Sequence, residues 1–423
     1  MGICNKQSLF LGLTFFLYLF NITVAKINIS GAELVLAGCL VALLVDTRVR
    51  IHVLRIFASN YLLIVVLLLI GLYGTLLSFI WGNAESIWLE IFIKNCVIFL
   101  TALVLGYYLK KINNSNSKNN IEFGLVYFLD LCFYVLSLQA IFVVLSFLSP
   151  GIREFFSSIV VNRGNIDIDH LFRFRGLHDS GGFTLSSFLG IGAVYGVYSF
   201  MHRRNNLAWV YIFLSFILLL AVSLVGRTGF LVVALGITIL AIRRPIKMLW
   251  VILSVYVFAL ILLLLASKLV VEQYNFFTSI VFDYAFEFVV NFQKGQGFRT
   301  DSSDDLKTML FLPDVWNILF GNGSFDKGYA GIRQTDSGYM KTLLASGLLG
   351  FITVYGVFLF IAISVFSSLK PYKNLRYFVL IVFVSMFVIE IKGPVFYQND
   401  VSRFFWLLYG TVLAYARPVV KLI

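Results

Sequence analysis

Charge is scarce in this chain. Of its 423 residues only 13% are Asp, Glu, Lys or Arg, whereas 60% are apolar or aromatic, and mean hydropathy is +0.92. A soluble domain carries about 25% charged and ~45–50% apolar residues. A globule cannot hide the excess, because much of its residue content stays at least partly wet. Cytosolic, nuclear and secreted classes are therefore excluded. Cysteine is scarce too: Cys4, Cys39, Cys96 and Cys132 all lie in or beside apolar stretches, and no CxxC occurs. Neither a disulfide framework nor a zinc site is indicated. HExxH, Walker A, GxSxG and GxGxxG are missing from any usable context, so no metal and no cofactor is expected. No strand-like alternation of polar and apolar residues runs through the chain, which excludes an outer-membrane barrel. The net charge of +12 contains no Lys/Arg run longer than two, which argues against a nucleic-acid partner.

What the chain does have is long apolar segments. A membrane helix takes about 20 residues, and twelve candidates are present: about 8–25, 31–46, 58–80, 88–109, 121–149, 181–201, 206–224, 227–242, 248–266, 338–366, 377–393 and 401–416. The sequence thus predicts an all-α polytopic membrane protein of about twelve transmembrane helices, one integral membrane domain over 1–423. Thr23-Val24-Ala25 is a mediocre cleavage site after the first segment, which favours an uncleaved first helix. Alternate short connections hold 17 of the 33 Lys and Arg residues: Lys6; Arg48, Arg50, Arg55; Lys110, Lys111, Lys118; Arg203, Arg204; Arg243, Arg244, Lys247; Lys370, Lys373, Arg376; Arg417, Lys421. The positive-inside rule then puts these connections and both termini in the cytoplasm. Two long loops, about 150–180 and 267–335, fall on the outer side. In the larger loop Phe277, Ile280, Val281, Tyr284, Phe288 and Phe292 follow helical spacing, with Asp283, Glu287 and Asn291 on the other face. That pattern predicts an amphipathic helix along the outer membrane surface. A second helical piece is expected near Leu306–Leu310, and Gly321-Asn322-Gly323 should turn the chain towards the tenth span.

Three outer places break the membrane pattern. Arg227 lies in a tight turn between the seventh and eighth segments, where topology does not call for a cation. It reads either as an anion site or as a residue snorkelling to headgroups. Arg173 and Arg175 precede the sixth span beside His178 and a Gly-rich stretch. Arg forks and free helix N–H groups can hold phosphate there, and a solvated loop end is the plain alternative. His178 is a candidate general base or a structural hydrogen-bonder. Arg333, Asp336, Tyr339 and Lys341 lead into the tenth span, with Asp336 also suited to a helix N-cap. Adding Lys392 and Arg403 gives an expected outer ring of positive charge with few acids. Asp301-Ser-Ser-Asp-Asp305 reads as an exposed acidic turn rather than a metal site. Lys94, Asp130 and Glu390 are the ionisable residues that might fall inside spans.

At these residues the sequence resembles the O-antigen polymerase and O-antigen ligase superfamily. The likeness lies in twelve spans, a large late outer loop, SLVGRTGFLVVAL (223–235), LFGNG (319–323) and DSGYMKTLLASGLLG (336–350). Ligases of that superfamily carry a His near the tenth-span start, where this chain has Asp336, which favours a polymerase. Arg153-x10-Gly164 also resembles a pattern of some polymerases. The resemblance implies a glycosyltransferase of the bacterial inner membrane, its active site facing the periplasm. Undecaprenyl-diphosphate-linked oligosaccharides would be donor and acceptor, membrane lipid the surroundings, and a chain-length regulator a further partner. A hydroxyl of one unit would attack the anomeric carbon of the other, and lipid diphosphate would leave. On that implication Arg173, Arg175, Arg227 and Arg333 hold diphosphate. Arg227 and Asp336 are catalytic, Asp336 as base or acceptor-orienting group, with His178, Tyr339, Lys341 and Arg403 as further candidates. The alternatives are an O-antigen ligase and a transporter of lipid-linked oligosaccharide. Broken, polar mid-membrane helices would mark the transporter.

Overall fold

Every one of the twelve apolar segments carries an α-helix. The computed structural model describes residues 6–24, 29–83, 85–114, 121–160, 174–178, 182–203, 207–255, 257, 287–295, 304, 307–325, 335–397 and 400–415. Among them the helices are α1 (Lys6–Phe20), α2 (Gly31–Val45), α3 (Thr47–Ser59), α4 (Tyr61–Ile80), α5 (Ile87–Asn114), α6 (Ile121–Leu148), α7 (Pro150–Ile159) and α8 (Phe183–His202). They continue as α9 (Ala208–Val225), α10 (Thr228–Arg243), α11 (Pro245–Val255), α12 (Glu287–Gln293) and α13 (Val315–Phe320). The last are α14 (Gly338–Ser368), α15 (Lys373–Ile389) and α16 (Asp400–Tyr415). The strands β1 (Thr23–Val24) and β2 (Ile29–Ser30) pair antiparallel, Thr23 opposite Ser30. Among the described residues six helices, α4, α5, α6, α8, α9 and α14, are long and apolar enough to cross a membrane. The chain is thus consistent with an all-α, multi-pass membrane protein.

Three stretches expected as loops are helical. The basic connection after α2 is α3: Asp46 caps it, accepting from the Arg48 N–H at 2.9 Å. Val49, Val53 and Ile56 are buried on one face, while Arg48, Arg50 and Arg55 are exposed. The apolar periodicity is short and sits among charges, so it reads as a connection. The start of the expected first outer loop is α7, with Ser149 as N-cap and Pro150 at the first helical position. Of the expected amphipathic helix, the described part is α12. The Leu306–Leu310 piece is helical at Lys307–Met309, and α13 is a helix that the loop assignment missed.

The chain forms two compact units. The first comprises Met1–Leu11, Leu34–Phe128 and Ser302–Ile423, the second Gly12–Glu33 and Leu129–Asp301. Small residues set the packing in both, as in lipid, where close backbone approach replaces the hydrophobic drive between helices. In the first unit Trp88 of α5 lies over Gly74 of α4, where an added Cβ would sit 2.1 Å from the ring. Its indole N–H donates to the Ile70 carbonyl at 3.1 Å. Gly106 of α5 meets Gly410 of α16, where an added Cβ would sit 2.9 Å from the Gly410 carbonyl oxygen. In the second unit α8 is the central helix, buried along most of its length. Gly190 faces Gly229 of α10, and Gly196 faces Ser215 and Tyr211 of α9.

Candidate functional site

The outer candidates fall into two sets, one on each unit. In the second unit, the start of α8 and the start of α10 come together. A Cβ on Gly226 would stand 3.5 Å from the Gly182 carbonyl oxygen. Ser186, in the first turn of α8, pins the α9–α10 turn: its hydroxyl donates to the Gly226 carbonyl and accepts from the Gly229 N–H at 2.8 Å. Two helix N-termini therefore add their positive ends at one place, and Arg227, immediately before α10, adds a guanidinium. The anion that answers them is internal. Glu287 of α12 forms an ion pair with Arg227, and both side chains are largely buried. The sequence reading, an anion site or a residue snorkelling to headgroups, named no side-chain partner; here the polar face of the amphipathic segment supplies one. Phe292, on its apolar face, is exposed.

Arg175 is placed by three ties. The Phe174 N–H donates to the Leu224 carbonyl at 3.2 Å, holding this loop against the end of α9 that leads into Arg227. Gln139 of α6 donates its side-chain amide to the Arg175 carbonyl at 2.7 Å. Gly176, at φ +60°, turns the chain so close to α6 that a Cβ would lie 3.0 Å from the Val143 nitrogen. Arg175 is half-buried. His178 is 1% exposed, its ring edge-on to Phe20 at 5.9 Å. Arg173, Arg333, Gly164 and most of the Asp301–Asp305 run lie outside the described residues. Asp304 of that run is exposed and bonded to Lys307 at 2.6 Å.

In the first unit Asp336 is exposed. The N-cap of α14 is Ser337, without a side-chain cap bond, so Asp336 stands one residue before the cap position rather than on it. Thr335 accepts from the Ser337 N–H at 3.2 Å instead. Tyr339 is packed inward: its hydroxyl donates to the Phe387 carbonyl at 2.7 Å and its ring lies 4.8 Å from that of Tyr355. The Lys341 ammonium lies over the Phe325 ring at 5.0 Å. Arg403 is ion-paired with Asp400 at 2.9 Å, both largely buried. Arg403 and Arg227 thus each have a carboxylate partner within their own unit.

Two carboxylate centres, one buried and one half-buried, were noted in the sequence only as ionisable residues that might lie in spans. Glu390, fully buried at the end of α15, accepts from the Tyr355 hydroxyl at 2.7 Å and from the Val395 and Phe396 N–H groups at 2.7 and 3.3 Å. Gly338 is pressed against it, with no room for a Cβ. Thr342 links Tyr355 and Tyr397, at 3.1 and 2.7 Å. Burial, with Glu390 nearby, pushes the Tyr397 phenol well up, so it remains a donor. In the second unit Asp130 accepts from both Tyr195 and Tyr211 at 2.8 Å, and Arg203 reaches both its oxygens at 2.6 and 2.5 Å. An acid inside a span needs such partners. That rule was the available signal, but the partners are 65 to 81 residues away in sequence.

Comparison with known protein families, with curated proteins and with solved structures gives no match to this chain.

Proposed function

We propose that the protein is a polysaccharide polymerase. In this reading it joins undecaprenyl-diphosphate-linked oligosaccharide units on the outer face of a bacterial inner membrane, with both termini cytoplasmic. The observation that supports it most is the setting of Arg227. A guanidinium and two converging helix N-termini make a place for an anion, and a side-chain carboxylate already occupies it. A diphosphate is a stronger match to that field than a carboxylate, because it carries more charge and more acceptor oxygens. In the proposed reaction the leaving group is already good. The protein's task is to stabilise the diphosphate and orient the acceptor hydroxyl. Arg227 and Arg175 take the first part, joined by Arg173 and Arg333 on the sequence reading. Asp336, an exposed carboxylate beside the start of α14, is assigned the second. Displacement of Glu287 would accompany binding of the diphosphate.

Deletion of the gene tests the assignment. A polymerase mutant leaves one repeat unit attached to the final acceptor, because flipping and ligation continue. Asp336→Asn should give a milder form of the same phenotype, since it removes charge without changing size at an exposed site. Bare acceptor with long lipid-linked polymer would make the chain a ligase. Absence of any unit outside would make it a transporter.

A further inference from the structure

The last part of the expected outer loop packs beside two candidate spans rather than beyond their ends. Phe320 of α13 accepts from the Tyr73 hydroxyl through its carbonyl at 2.9 Å, and Tyr73 is seven residues before the end of α4 at Ile80. Gly321 packs on Gly347, where an added Cβ would stand 2.5 Å from the Gly347 nitrogen. Gly347 is nine residues inside the start of α14 at Gly338. At ~1.5 Å per residue these positions lie about 10 and 13 Å below the same ends of two candidate spans. The two depths agree although they come from different helices.

The chain then climbs along both helices together. Asn322 donates its N–H to the Leu344 carbonyl at 2.8 Å, and its own carbonyl accepts from Asn83 at 2.9 Å. Gly323 lies against Ser78, Phe325 donates its N–H to Glu85 at 2.8 Å, and Lys341 lies over the Phe325 ring. From 320 to 325 the partners move from Tyr73 to Glu85 on one side, and from Gly347 to Lys341 on the other. Both progressions lead out towards the helix ends. Irregular backbone at membrane depth is tolerated only where protein buries it and meets its polar groups, and residues 321–325 are all buried. Gly347, at φ +61° and ψ −168°, breaks α14 at the level of the dip. Such a break leaves carbonyls without their helical partner, and Leu344 finds one in Asn322.

The other face of this dip is bare and apolar. Leu312 is 86% exposed, Val315 69% and Trp316 68%, and the Trp316 and Phe320 rings stack at 5.9 Å. At the same level Leu72 and Leu76 of α4, and Leu349 of α14, are exposed as well. A water-facing surface of this kind would be costly, at ~25 cal/mol per Å² of apolar area.

We propose that residues 312–325 form a re-entrant segment that enters one leaflet to less than half the membrane thickness, and that its Trp316–Phe320 face is a binding surface for lipid acyl chains. The surface continues that of α4 and α14, so its occupant is the bilayer hydrocarbon rather than a protein. Asp314 caps the descending helix, accepting from the Asn317 N–H at 3.0 Å.

The test uses the full chain in vesicles of phosphatidylethanolamine and phosphatidylglycerol. Trp316→Phe is a conservative change, and subtracting its fluorescence from that of the unaltered protein isolates the Trp316 signal. Mid-chain brominated lipid should quench this difference signal at least twofold more than aqueous iodide does. Lys307→Trp, placed a few residues earlier, should show the reverse order. Quenching of Trp316 by iodide and not by bromolipid would overturn the proposal. Protection from both quenchers would put a second protein surface over Trp316 and overturn it equally.

Discussion

Glu287 is ion-paired with Arg227, and this contact ties α12, in the first part of the second long loop, to the turn between α9 and α10. A diphosphate and the Glu287 carboxylate would compete for the same guanidinium. Glu287→Gln should therefore raise affinity for a short-chain prenyl diphosphate about tenfold, which corresponds to roughly 1.4 kcal/mol. Calorimetry in detergent measures it. Arg227→Lys keeps the charge but loses the fork, and should abolish most long-chain polysaccharide in cells. Unchanged affinity in the Gln variant, together with wild-type chain lengths in the Lys variant, would make the pair a structural brace alone.

Asp130 holds Arg203, Tyr195 and Tyr211 together within the second unit. Removing its charge leaves a cation without its counter-ion in a largely buried setting. Asp130→Asn should lower stability by about 3 kcal/mol, read as an earlier thermal transition of the purified protein. Pairing it with Arg203→Met should recover part of that loss, because no uncompensated charge is then left. A double variant no more stable than the single one would count against the pair as the cause.

Glycines at the dip and in the open span should behave oppositely. At Gly323, with φ +69°, a Cβ would lie 2.0 Å from the Ser78 nitrogen. Gly323→Ala should cost more than about 2 kcal/mol, from left-handed strain plus a backbone clash. Gly356 of α14 has open space around it, and Gly356→Ala should be neutral or stabilise by about 0.5–1 kcal/mol. Equal thermal transitions for the two variants would contradict the packing described at 320–325.

Cysteine labelling in intact cells checks the proposed topology. A membrane-impermeant reagent should label Lys294→Cys, just after α12, and spare Lys111→Cys at the end of α5. Labelling of Lys111→Cys from outside would reverse the orientation.

The sequence by itself determined the fold class and the positions of the apolar helices, because a 20-residue apolar run in a chain this poor in charge has one stable use. It also singled out Arg227 as a cation without a topological reason. It misassigned α3 and α7 as loops because each hides a short apolar face among polar neighbours, and a local pattern that weak is settled by what it packs on. Tertiary structure alone decided the partners. Glu287 for Arg227, Arg203 for Asp130 and Tyr355 for Glu390 are 35 to 73 residues away from the charges they meet, and no spacing rule reaches that far. The dip at 312–325 is hidden for the same reason. Its glycines look like an ordinary turn in sequence. They become a re-entrant path only when Gly347 breaks α14 at the depth where Gly321 arrives, so that each backbone gives the other room.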